Sequence, residues 1–170
     1  MDALKIAFCD DDKTSLNVIA GAVASILQQQ EIPAQVEKYT SHLELLDCCQ
    51  RMQMDLVFLD IEMPGLNGIE LGQKLREVTA ATEIIYVSHR EDCVFHALQV
   101  HPFGFVRKSH FLKDIEDVTR SYLTMLEKRR TEKNVVVQTQ SGYLRVPVSH
   151  VLYFEGGGTY QHMYVEGRTE

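Results

Sequence analysis

Four places in the chain set a reactive polar residue at the end of an apolar run. Asp10, Asp11 and Asp12 follow "LKIAFC", Asp60 follows "DLVFL", Ser88 follows "EIIYV", and Lys108 closes "FGFVRK". Brought together, these groups would make a defined chemistry. Clustered carboxylates repel one another, and burial raises the cost of their charge unless a cation is present. Oxygen ligands in an incomplete shell suit Mg²⁺, which keeps waters and accepts phosphate oxygens. A lysine supplies a compact charge for a phosphoryl oxygen, and a serine donates a hydrogen bond to another. Asp60, already ionised, would then act as a nucleophile that becomes an aspartyl phosphate, with Mg²⁺ and Lys108 offsetting the developing charge.

Each residue also has a plainer reading. Asp60 would cap the turn that Pro64 and Gly65 impose, and the Asp10–Asp12 run would favour a helix start through the helix dipole. Ser88 would cap a following helix, and Lys108 would be a solvated surface lysine. What separates the two readings is whether the elements carrying these residues deliver them to one edge.

The elements are legible as alternation. Leu4–Cys9 reads as an apolar strand, and Thr14–Gln29 as a helix with Leu16, Ile19, Val23, Ile26 and Leu27 at helical spacing, capped by Asp12 or Thr14. Ala34–Tyr39 reads as a strand, Ser41–Arg51 as a helix capped by Ser41, Asp55–Leu59 as a strand and Asn67–Val78 as a helix. Glu83–Val87, a short helix over Glu91–Gln99, Phe103–Val106 and an amphipathic helix from Phe111 to about Lys128 complete the series. The run Leu56-Val57-Phe58-Leu59 does not alternate, which predicts a strand covered on both faces, as in a parallel sheet. Five strands alternating with five helices predict an α/β fold, a five-stranded doubly wound parallel sheet of flavodoxin-like order 2-1-3-4-5. All its strands end on one edge, so the four polar positions are expected to converge.

Composition narrows the function. The net charge of −7 argues against a surface coated for nonspecific phosphate-backbone binding. The longest mildly apolar run, Val18–Leu27, is too short to span a bilayer, so a cytoplasmic chain with no membrane partner is expected. Cys9, Cys48, Cys49 and Cys93 form no Cys-x-x-Cys pair and are expected to be reduced interior thiols; none of the histidines shows metal-ligand spacing.

From Glu127 the pattern changes. The stretch "EKRRTEKN" lacks an apolar period, and beyond it short strands with hairpin punctuation follow: Val135–Val137, a Ser141-Gly142 turn, Tyr143–Val146, Val151–Phe154 and "YQHMYV". The expected organisation is a phosphoacceptor domain over 1–128, a linker over 129–134, and a short all-β fragment over 135–170 that reads as a domain cut short.

The stretches "IAFCDDD", "DLVFLDIEMPGLNGIEL", "IIYVSH" and "FGFVRK" together resemble the receiver (CheY-like) domain of two-component response regulators, over roughly residues 1 to 128. That resemblance implies Asp60 as phosphoacceptor, Asp10 and Asp11 with Asp60 as Mg²⁺ ligands joined by the backbone carbonyl of Glu62, and Asp12 as a bystander or cap. It implies Ser88 as the switch hydroxyl, Phe105 as the switch aromatic and Lys108 as the site lysine. Most receivers follow this lysine with proline; here Ser109 follows, which bears on loop geometry more than on chemistry. The tail "VVVQTQSGYLRVPVSHVLYFEGGGTYQHMYVEGRTE" is similar, over a shorter and less specific match, to the beginning of a LytTR-type DNA-binding domain. On that likeness a loop over about Gly156–His162 would offer Tyr160, Gln161 and His162 to DNA, or form an ordinary glycine-rich hairpin, and Arg145 and Arg168 would touch phosphate.

The function expected is a non-enzymatic response regulator. A sensor histidine kinase phosphorylates it with Mg²⁺, phosphorylation favours a homodimer, and promoter DNA is bound through the complete C-terminal domain. Two alternatives are a stand-alone relay or protein-binding receiver, and a phosphohydrolase with an aspartyl nucleophile. The acidic balance and short tail predict weak, nonspecific DNA binding by this 170-residue chain; specific nanomolar binding in a mobility-shift titration would contradict that.

Overall fold

The computed structural model describes residues 3–131, 134–139, 142–157 and 160–166. Its contacts divide the chain into two compact units, 1–122 and 123–170, with the division inside one long helix.

The first unit alternates as the apolar pattern requires. Strands β1 (Leu4–Cys9), β2 (Ala34–Tyr39), β3 (Leu56–Asp60), β4 (Glu83–Ser88) and β5 (Gly104–Arg107) lie between helices α1 (Lys13–Gln29), α2 (His42–Arg51), α3 (Gly68–Val78), α4 (Val94–Ala97) and α5 (Phe111–Thr131). The sheet is parallel throughout and its order is β2-β1-β3-β4-β5. Every residue of β3 is buried, as its unbroken apolar run predicts for a central parallel strand. Alternate residues of the central strands, Ala7, Cys9, Val57, Leu59, Ile84 and Tyr86, join Leu45, Leu71, Leu75, Ala97 and Val100 in one core. The residues between them point to the opposite face, where Phe8 and Phe58 stack with ring centroids 4.8 Å apart.

Local chemistry fixes the helix starts. Asp12 caps α1, its carboxylate accepting from Thr14 N and Ser15 N, both at 3.0 Å, so Asp12 rather than Thr14 is the cap. Asn67 caps α3 in the same way, accepting from Ile69 N and Glu70 N. Ser41 holds the cap position of α2 without a side-chain hydrogen bond. The helix expected over Glu91–Gln99 is broken: only Val94–Ala97 is α-helical, between 3₁₀ turns at Glu91–Cys93 and Leu98–Val100. No side-chain cap bonds its start, and the aromatic and β-branched Val94 and Phe95 are weak helix formers. The charged stretch from Glu127 is not a break, because α5 continues through it to Thr131.

The β5–α5 junction lacks the proline usual after the site lysine, and a different device holds it. Asp114 Oδ2 accepts from Arg107 N at 3.1 Å and from Arg107 Nε at 2.7 Å, and Asp114 Oδ1 accepts from a terminal guanidinium nitrogen of Arg107 at 2.9 Å. This fork ties the last residue of β5 to the first turn of α5, one residue before Lys108. Ser109 Oγ donates to Glu91 Oε1 at 3.0 Å, joining this junction to the turn after β4.

The second unit begins with the end of α5 and continues in two antiparallel hairpins, β6 (Asn134–Thr139) with β7 (Gly142–Pro147) and β8 (Val151–Gly157) with β9 (Tyr160–Val165). They carry exposed Val136, Tyr143, Leu152, Tyr153 and Phe154. Of the turn read at Ser141-Gly142, Ser141 lies outside the described residues, as do two positions of the expected linker, 132 and 133.

Two predictions follow the packing. A Cβ on Gly72 would overlap the buried Tyr86 hydroxyl, which makes no hydrogen bond. Gly72→Ala should therefore cost about 1–3 kcal/mol by overpacking. Tyr86→Phe should be neutral or stabilising, and the double variant should regain part of the loss, as read from urea midpoints. The Arg107 fork holds the Asp114 carboxyl below the usual carboxylate range. A depressed folded-state pKa contributes stability that is present above the unfolded value, near 3.9, and is lost as pH falls through the folded one. Asp114→Asn should lower stability at pH 7 by about 1–2 kcal/mol, discounted because Arg107 is partly exposed. The gap from the parent chain should close below about pH 4, measured by urea melts across pH.

Candidate functional site

The carboxyl ends of β1, β3, β4 and β5 fall on one edge, and the expected residues come with them. Asp10 follows β1, Asp60 ends β3, Ser88 ends β4 and Lys108 follows β5. Asp10, Asp60 and Ser88 are buried, at 1%, 4% and 0% exposure, in a fold whose other carboxylates mostly face solvent. Asp11 is exposed beside them, and one carboxylate oxygen each from Asp10, Asp11 and Asp60 lies within 4.8 Å of the others.

Lys108 sits between the two buried acids, its Nζ 3.0 Å from Asp10 Oδ2 and 3.2 Å from Asp60 Oδ1. The acids differ in how well they are satisfied. Asp10 is held on both oxygens: Oδ1 accepts from Asp12 N at 2.9 Å, and Oδ2 accepts from Ser15 Oγ at 2.7 Å and from Lys108. Asp60 Oδ1 is buried and has its ion pair but no aligned hydrogen bond. Burial pushes the Asp60 carboxyl above its ordinary range, with the Lys108 charge opposing. Burial also works against the Lys108 ammonium, yet the hydrogen bond to Asp10 and the two acidic charges outweigh it, and its pKa is raised. The buried centre thus holds one more carboxylate than ammonium and an under-partnered oxygen. An all-oxygen donor set with surplus negative charge fits a hard divalent cation.

Asp60 depends on α3 for its position. Gly68 N donates to Ile61 O at 3.0 Å, and a Cβ at Gly68 would run into the Asp60 carbonyl oxygen. Only glycine allows the helix to start this close to the strand tip. Glu62 is exposed in the intervening turn.

The remaining expected residues divide. Ser88 Oγ accepts from Arg90 N at 3.0 Å, a bond within the turn ahead of the 3₁₀ segment; the cap position itself is Arg90, so Ser88 is not the helix cap of the plainer reading. Accepting that bond leaves the hydroxyl proton available. Phe105 is half-buried, opposite Tyr86 in the β4–β5 register and packed against the core. Cys9 and Cys49 are buried free thiols, and burial pushes them up to about 12 and about 11.

Tyr160, Gln161 and His162 open β9, facing Gly157, Gly156 and Glu155, rather than standing in an open loop; positions 158 and 159 lie outside the described residues. Gln161 and His162 are exposed. Arg145 is exposed on β7 opposite Val136, and Arg168 lies outside the described residues. Ser15 is the site neighbour that motif reading missed. Its signal was present, since the third helical position after an Asp cap turns back toward the residue two before that cap.

No helix among the described residues is long and apolar enough to cross a membrane. Comparison with known proteins places the edge in context. Over 164 residues the chain is 23% identical to the positive alginate biosynthesis regulatory protein of Pseudomonas aeruginosa, covering 89% of this chain and 65% of that one. It is 24% identical over 138 residues to the transcriptional regulatory protein LytR of Staphylococcus aureus, covering 81% of this chain and 54% of that one. A 73-residue stretch is 34% identical to an uncharacterized response regulatory protein of Yersinia pestis, covering 43% of this chain and 30% of that one. The chain thus spans less than two thirds of the length of each. In fold it is similar to the response regulatory domain of mrkE from Klebsiella pneumoniae, at a TM-score of 0.64 and 18% identity, covering 74% of this chain and 99% of that one. Residues 6–120 match the model of the response regulator receiver domain; with that match over most of its length, and with the carboxylate edge built on the sheet that positions it, the chain belongs to the response regulator receiver family.

Proposed function

We propose that this chain is a response regulator that a sensor histidine kinase phosphorylates on Asp60, and that it controls transcription through a LytTR-type DNA-binding domain starting at about residue 135. One observation carries the first part: Asp60 Oδ1 is buried beside Lys108 with no aligned hydrogen bond, while Asp10 accepts hydrogen bonds on both of its oxygens. A carboxylate that is buried, paired and under-partnered is poised to take up an electrophile.

In this reading Asp10, Asp11 and Asp60, with the Glu62 carbonyl, hold Mg²⁺, which when bound neutralises charge on the transferring phosphoryl group. The Asp60 oxygen forms its bond to phosphorus as the phosphorus–nitrogen bond to the donor imidazole breaks. Lys108 stays against the new oxygens, and no separate base takes part because the carboxylate attacks ionised. The adduct adds about −1.5 to −2 charges at the edge. Ser88 donates its free proton to a phosphoryl oxygen, and Phe105 turns inward behind it. Repacking around β5 then favours a homodimer, which sets two DNA-binding units on adjacent half-sites. Shifting such a switch from mostly off to mostly on takes on the order of 5 kcal/mol of differential stabilisation.

The transcriptional part is supported by two relatives over most of this chain's length, one named a transcriptional regulatory protein, and by the likeness of the tail to the beginning of a LytTR domain, in which "VSHVLYFE" matches the second or third strand. Within the second unit, Gln161, His162 and Arg145 are the exposed polar candidates for nucleic acid; Tyr160 and Arg168 complete the set by sequence position.

Incubation with acetyl phosphate and Mg²⁺, followed by intact mass and size-exclusion chromatography, tests this reading. One phosphoryl adduct, lost on chelation and in Asp60→Asn, is expected together with a shift toward dimer. Mg²⁺-dependent labelling that persists in Asp60→Asn would refute the assignment, and rapid turnover of a generic phosphate ester would favour the hydrolase alternative. Lys108→Ala should lower the labelling rate by at least tenfold and also lower the melting temperature of the metal-free chain, since it removes the counter-charge of two buried carboxylates.

A further inference from the structure

The Asp10 carboxylate offers about four acceptor positions, two on each oxygen. Oδ2 uses both, on Ser15 Oγ at 2.7 Å and Lys108 Nζ at 3.0 Å, whereas Oδ1 uses one, on Asp12 N at 2.9 Å. The open acceptor position is therefore on Oδ1. Lys108 belongs to the phosphoacceptor chemistry and must be free to follow charge onto Asp60. The remaining partner of Oδ2 is Ser15, and nothing in the proposed reaction uses it.

Ser15 is itself fixed from below. Its backbone N–H donates to Asp12 Oδ2 at 3.0 Å, and Asp12 N donates to Asp10 Oδ1. Asp12 thus anchors both the peptide that carries the Ser15 hydroxyl and the other oxygen of Asp10. The result is a closed ring of hydrogen bonds in which Asp10 cannot rotate about its last torsion without breaking one of them. Ser15 is half-buried.

We infer that Ser15 is a positioning residue for the divalent cation: it saturates Asp10 Oδ2 and so dedicates Oδ1 to the metal. The inference rests on the proposed Mg²⁺ reading of the edge. Partners that orient a metal-binding carboxylate are worth 10–100-fold in affinity as a rule, and an effect of about tenfold is expected for one hydroxyl of two donors on the same oxygen.

Isothermal titration of Mg²⁺ into the unphosphorylated chain tests it, with thermal melts in chelator as a check on folding. Ser15→Ala should bind Mg²⁺ about tenfold more weakly, with a metal-free melt close to that of the parent. Ser15→Thr and Ser15→Val form the decisive pair, because they match in shape and differ by the hydroxyl. Thr should restore affinity and Val should not. Equal affinity for Thr and Val, or parent-like affinity for Ser15→Ala, would overturn the positioning role while leaving the Mg²⁺ reading intact. Absence of Mg²⁺ binding by the parent chain would overturn both.

Discussion

The buried charge balance of Asp10, Lys108 and Asp60 is the constraint around which the first unit is arranged. Two carboxylates beneath a sheet edge would be costly alone, and one ammonium between them offsets the cost of one and part of the other. Both distances are short enough for strong Coulomb attraction in a site where water is scarce. Each element then has a task relative to that point. Strand β3 brings Asp60 in from below, α1 clamps Asp10 through its cap, and the fork between Arg107 and Asp114 aims the residue that follows it. The sheet order matters because it sets β1 and β4 on either side of β3, with β5 beyond β4.

In the proposed reaction, the asymmetry between the two acids separates scaffold from reagent. Asp10 makes three hydrogen bonds across both oxygens and is held in place, while Asp60 Oδ1 has its ion pair to Lys108 and no aligned hydrogen bond. Satisfying every acceptor on both would give a more stable edge and a less reactive one. The raised Asp60 carboxyl expresses the same imbalance, since burial without full hydrogen bonding is the circumstance in which a carboxylate gains most from a new positive partner.

Much of this was legible in the sequence because it depends on periodicity and on strand ends. The strand and helix positions, the order 2-1-3-4-5 and the convergence of Asp10, Asp60, Ser88 and Lys108 all follow from apolar runs that stop at a polar residue. Four features were not legible. The helix expected after β4 shrank to a single α-helical turn, because Val94 and Phe95 have poor helix propensity and no cap was present. The Arg107–Asp114 fork links residues in different elements and leaves no periodic trace. The continuation of α5 to Thr131 runs through Glu127, Lys128, Arg129 and Arg130, residues of good helix propensity that a reading keyed to apolar period overlooks. Tyr160, Gln161 and His162 fell in a strand because Gly156 and Gly157 continue β8, where consecutive glycines suggested a loop.

The pairing of Lys108 with Asp10 spans 98 positions of chain. During synthesis the order of emergence is fixed: the acids of β1 and β3 leave the ribosome well before the strand that precedes their cation. A sheet of β1 to β4 alone would carry the Asp10 and Asp60 carboxylates without the Lys108 cation, and the charge balance of the edge closes only with β5 along β4. A sheet lacking β5 is therefore one whose centre repels itself, so the charges at this edge favour the complete five-stranded arrangement over a four-stranded one.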